Sequence, residues 1–109
     1  MEHRRSKRRA VETNIPVTNT MTGQIIGQIG NLSVDGIMLL ANRPLKGNAL
    51  YQFSFHIEDA RGTPVQLEIG CHEQWSETAQ TGQYWAGFRL IDIAARDLDL
   101  LAAWVDNDR

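Results

Sequence analysis

The stretch "YQFSFHIEDARGTPVQLEIGC", Tyr51 to Cys71, decides the fold. Tyr51, Phe53, Phe55 and Ile57 share one face of an extended chain, with Gln52, Ser54 and His56 on the other. After "EDARG" the alternation resumes, with Val65, Leu67, Ile69 and Cys71 set against Gln66, Glu68 and His72. Two such runs around a polar turn predict a β-hairpin with one buried and one wet face.

Working outward, the same period recurs. Gln83 to Leu90 reads as a last strand, with Tyr84, Ala86, Phe88 and Leu90 on one face and Trp85, Gly87 and Arg89 on the other. Upstream, Val11 to Thr18 is rich in Thr, Val and Ile, and Pro16 marks an edge or irregular position. Met21 to Gly23 is a turn and Gln24 to Ile29 a strand, followed by the turn signal Asp35-Gly36 and the apolar run Ile37 to Ala41. "NRPLKGN" is a loop by its Asn, Pro and Gly content. From Ala94 the period becomes helical: Leu98, Leu101, Ala102 and Val105 form an i, i+3, i+4, i+7 stripe flanked by Leu100 and Trp104. The expected architecture is all-β with a C-terminal helix over about 94–105. About six antiparallel strands hide their edges best by closing into a small barrel.

Length and composition bound the rest. The 109 residues suit one domain, and 42% hydrophobic with 22% charged residues is ordinary for a globular chain. Cys71 is the only cysteine, so neither an internal disulfide nor a thiolate zinc cluster can form. No apolar run reaches the ~20 residues of a membrane helix. The basic start is not followed by an apolar segment of the secretory type. A cytoplasmic protein without membrane insertion is expected.

The charge distribution is uneven. "RRSKRR", Arg4 to Arg9, holds five of the 11 basic residues; taking those five charges from a net charge of −2 leaves −7 on the remainder. Residues 1–9 therefore read as a flexible basic arm and 10–109 as the barrel domain. A basic arm on an acidic body asks for an anionic partner. A long nucleic acid would be repelled by that body, and no aromatic is interleaved with the arginines. A compact anion would not be repelled.

A second motif lies in "NLSVDG", Asn31 to Gly36. Asn31 offers a donor and an acceptor and Ser33 a hydroxyl, and alternate spacing would point both to one face. Gly36 lets the backbone turn or a ligand approach. Leu32 and Val34 between them read as core or turn residues, with Val34 an additional candidate contact.

Together, Arg-x-x-x-Arg, a strand pair and Asn-x-Ser-x-x-Gly resemble the signature of PilZ domains, and the likeness covers nearly the whole chain, including Trp75 and "AGFRLID" before the final helix. The resemblance implies a small β-barrel that binds cyclic di-GMP and serves as a stand-alone adaptor for an unidentified downstream protein. It assigns Arg5 and Arg9 to the arginine pair, with Arg4 as the preceding extra arginine that would allow a stacked pair of ligands. Arg4 with Arg8 satisfies the same spacing. Asn31, Ser33 and Gly36 complete the implied site. Guanidinium suits the role because it is planar, always charged, and stacks on or forks to guanine and phosphate. Asn31 stands where the family more often has Asp, so charge assistance to guanine is lost there. The arm should order when the ligand neutralises it. Two other readings are a PilZ-like domain that binds only protein and a small nucleic-acid-binding barrel.

Nothing in the sequence points to catalysis. Cys71 and His72 are neighbours on a strand and face opposite ways, and His3, His56 and His72 lack the spacing of a metal site.

Overall fold

The computed structural model describes residues 7–107. Seven strands form one antiparallel sheet: β1 (Arg9–Ala10), β2 (Pro16–Asn19), β3 (Gln24–Leu32), β4 (Gly36–Ala41), β5 (Leu50–Glu58), β6 (Pro64–Thr78) and β7 (Tyr84–Ile93). The helix α1 (Ala95–Asp106) follows. Pairing runs β3-β2-β5-β6-β7-β4, and β4 pairs back onto β3, which closes a six-stranded barrel. The seventh strand, β1, adds to β3 beyond the point where β2 leaves it: Arg9 pairs with Leu32, and Val17 with Gly27.

The expected hairpin is β5 and β6, in register from Leu50↔His72 to Glu58↔Pro64. Phe53, Phe55, Ile57, Leu67, Ile69 and Cys71 all point into the barrel and are buried. Phe88 from β7 meets Phe53 edge-on at 5.1 Å, a favoured ring geometry. Leu101, Trp104 and Val105 of α1 join the same core. Burying such side chains contributes roughly 1.5–3 kcal/mol each.

Two elements differ from the sequence expectation. Of the strand expected from Val11 to Thr18, only the part from Pro16 is strand, as β2, and residues 11–15 arch between β1 and β2. Pro16 cannot donate to a ladder, and the register of β2 on β3 shifts just after Val17. The helix is also turned by about one residue. Leu98 is exposed and Asp97 is buried in its place. The Asp97 carboxylate accepts the Glu68 backbone N–H (3.3 Å) and binds its neighbour Arg96 (2.8 Å), which ties the start of α1 to β6.

Among the described residues, no helix is long and apolar enough to cross a membrane.

Candidate functional site

The site is built around the end of β3. Gly30 is an extra residue there: Ile29 pairs with Leu39 and Asn31 with Met38, so the register slips by one. A bulge re-aims the side chains that follow it. Asn31 consequently leaves the barrel interior and lies on the outer surface, while Leu32 returns to the core. A Cβ at Gly30 would stand 2.9 Å from the Met38 terminal methyl and 3.0 Å from the Trp85 ring, so a larger residue would make these side chains shift.

Ser33 lies beyond the last residue of β3, so strand alternation no longer governs it. It is fully buried, unlike Asn31. Its hydroxyl donates to Asp35 Oδ1 (2.7 Å) and accepts the backbone N–H of Gly36 (3.1 Å) and of Asp35 (3.3 Å). The Ser33 N–H closes the turn onto the Gly36 carbonyl (2.9 Å). The serine thus holds the β3–β4 turn in shape from inside. Val34 is partly buried and packs against the core.

The arm reaches this turn through Arg8. Its Nη1 donates to Asn31 Oδ1 at 2.8 Å. Its guanidinium also lies over Gly36, where a Cβ would stand 3.0 Å from Nη2 and 3.1 Å from the Phe88 carbonyl. Gly36 has an ordinary φ, so its role is close approach and not backbone freedom.

Arg9, one residue on, points the other way. Its Nη1 donates to the Trp104 carbonyl (2.7 Å), and its guanidinium carbon lies 4.1 Å from the centre of the Trp104 ring. An arginine there satisfies a helix C-terminal carbonyl and stacks on the indole. The structure thus brings Arg8, Asn31 and Gly36 together and places Arg9 on the helix. Arg4 and Arg5 lie outside the described residues.

The concavity around Arg8 has a volume of about 550 Å³ and is lined also by Met38, Trp75 and Arg89. That volume is in the range of small-molecule sites. Trp75 and Arg89 were not picked out as site residues from sequence. Trp75 is 44% exposed and lies flat across Gly87 on β7; a side chain at 87 would collide with the indole. Arg89 is opposite Gly36 in the β4–β7 register and is exposed. The signal for both was the outer face shared by Gly87 and Arg89, but only strand register shows that this face borders the turn.

The model for the family described as PilZ domain matches residues 2–107. The chain belongs to the PilZ domain family. The solved structure of the Bacillus subtilis inhibitor of motility (MotI/DgrA) shares the fold of this PilZ domain, with a TM-score of 0.78 at 15% identity. The match covers 97% of this chain and 50% of that one, so this PilZ domain spans half the length of that protein. No curated protein matches the sequence.

Cys71 and His72 sit next to each other on β6, the first buried and the second partly exposed. Burial pushes the Cys71 thiol up to about 12, so it stays protonated at neutral pH. His72, on the opposite face, bonds Gln74 (2.7 Å). Among the described residues, no cluster of His, Cys, Asp and Glu could hold a metal ion.

Proposed function

We propose that this PilZ domain is a receptor for cyclic di-GMP and an adaptor that passes the bound state to another protein. The observation that carries the reading is the meeting of Arg8, Asn31 and Gly36 at one concavity. These are an arm arginine and two of the three motif positions, brought together from two ends of a 23-residue separation. On this reading Arg8 closes the Arg-x-x-x-Arg spacing with Arg4, since Arg9 is turned to Trp104.

Each residue has a physical role. Arg8 and Arg4 grip phosphate and guanine through planar, permanently charged guanidinium groups. Asn31, now paired with Arg8, exchanges that bond for a guanine edge. Ser33 keeps the turn in the shape that presents Asn31. Gly36 gives the guanidinium and the base their room. Trp75 offers an aromatic face for stacking, and Arg89, the ladder partner of Gly36, adds a second cation. Two stacked ligands carry twice the anionic charge, and a third guanidinium is the group that can meet it.

No catalytic step belongs to this reading. Its output is a changed surface for a protein partner, in a pathway such as motility, adhesion or exopolysaccharide control, inside the cytoplasm. Isothermal titration with cyclic di-GMP, with GMP and single-stranded RNA as controls, tests it. Saturable binding of the cyclic dinucleotide alone is expected. Preferential RNA binding, or no nucleotide binding at all, would overturn it.

A further inference from the structure

On the other side of β1 from Arg8 lies a second cleft, of about 570 Å³. It runs between the arching segment 11–15, the end of β5 at His56 to Glu58, and Trp104 of α1. Its origin is a ladder that stops early. The strands β2 and β5 pair at Asn19↔Phe53 and Thr18↔Ser54 and no further. Two residues on, the chain reaches Pro16, which has no N–H to give. Beyond it Ile15 is turned to β3, its carbonyl taken by the Ile29 N–H (3.0 Å).

The end of β5 is therefore an open edge inside a closed barrel. Thr20 N–H donates to the Gln52 carbonyl (2.9 Å), so Gln52 directs its peptide groups toward β2. In an antiparallel strand every second residue does the same, which aims the backbone of His56 and Glu58 into the cleft. Among the described residues, no strand pairs with them on that side. Such an edge is a template for an added strand.

The charge of the cleft selects the occupant. Glu12 and Glu58 are exposed at its lips. The lining arginine, Arg9, is held by Trp104. Val11, Ile15 and Trp104 supply apolar wall. Counted over the lining, Glu12 and Glu58 against Arg9, the cleft carries a net charge of −1.

We propose that this cleft takes an extended segment of a partner protein, in which Lys or Arg alternates with apolar residues, added as a strand along His56 to Glu58. Backbone bonds to β5 hold the segment, and Glu12 and Glu58 choose its charge. The cleft also gives the adaptor a physical link between input and output. Arg8 faces the nucleotide concavity and Arg9 the cleft, adjacent in the chain where β1 begins. That link rests on the function proposed above; the docking itself does not.

The test uses the full chain without nucleotide, so its outcome is separate from that of the nucleotide titration. The probe is the peptide acetyl-Val-Lys-Val-Lys-Val-Lys-Val-amide. Its binding should slow amide exchange at His56 and Glu58 by about tenfold or more. The same peptide N-methylated along one edge should lose binding, because its backbone bonds are blocked. Glu58→Lys should weaken binding roughly fivefold through charge complementarity, while Glu77→Lys, exposed at the far end of β6, should leave it unchanged. No binding, equal binding of the N-methylated peptide, or protection around Arg89 in place of His56 would each overturn the proposal.

Discussion

Arg8 Nη1 and Asn31 Oδ1 stand 2.8 Å apart, so the arm and the turn motif are one hydrogen-bonded unit. Two different arginines are therefore not equivalent at this site. Arg8→Ala should lower cyclic di-GMP affinity by about 30-fold or more, since stacking and bidentate guanine contacts are each worth ~1–3 kcal/mol. Arg9→Ala should cost far less. Titration calorimetry, checked by Trp75 fluorescence against a Trp75→Phe control, reads the difference. Equal losses would return the motif pair to Arg5 and Arg9.

Gly36→Ala places a methyl group 3.0 Å from the Arg8 guanidinium and 3.1 Å from the Phe88 carbonyl. The arginine can move but the carbonyl belongs to the barrel. Ligand affinity should fall more than stability, with a stability loss of ~1 kcal/mol at the lower end of overpacking costs. Urea unfolding and ligand titration on the same variant separate the two effects.

Arg9→Gln removes a charged hydrogen bond to Trp104 and its ring contact. Charged hydrogen bonds contribute ~1.5–3 kcal/mol and cation–π contacts ~0.5–1 kcal/mol near a surface, so a loss of about 1–2 kcal/mol is expected after partial compensation by the amide. Thermal unfolding should show it, and amide exchange should quicken in the last turn of α1. An unchanged melting temperature would mean that the helix end is held by the core alone.

The wild type should bind two cyclic di-GMP molecules per chain. Arg89→Ala should reduce this to one while largely sparing the first event, because Arg89 is a further cation on the wall of the same concavity. Arg4→Leu should abolish binding if Arg4 and Arg8 are the motif pair. Stoichiometry by titration decides both; one ligand per wild-type chain at saturation would refute the stacked pair.

Cys71 tests the core. Its folded pKa is raised by burial to about 12, above that of an exposed thiol near 9. The folded state therefore holds its proton where the unfolded state has lost it. Stability from this group is intact below pH 9 and declines as pH rises from 9 toward 12. Unfolding free energies of wild type and Cys71→Ala, compared across that window, should converge with rising pH. A pH-independent difference would contradict the burial.

Much of the fold was legible because β5 and the first half of β6 alternate strictly. Phe53, Phe55, Ile57, Leu67 and Ile69 were assigned to the core by period alone, and all are buried. The alternation fails where geometry is set by long-range contact. Asp97 takes the buried place expected for Leu98 on α1, where its carboxylate accepts a backbone N–H of β6. The site was legible as composition: Asn31, Ser33 and Gly36 are together at one turn. Their division of labour was not, because it depends on the bulge at Gly30 and on the end of β3 just before Ser33. Trp75 and Arg89 enter through the pairing of β7 with β6 and β4, which no local pattern encodes.

Arg8 and Arg9 look in opposite directions, so for these two arginines odd-or-even position counted from the barrel matters. Removing Ala10 would leave every positive charge in place and yet exchange the directions of Arg8 and Arg9. Comparisons of such arms by charge content alone would class the altered chain as intact. Counting parity from the first residue paired to β3 would class it as broken, and two chains with equally basic arms could then differ in signalling for a reason visible only in their spacing.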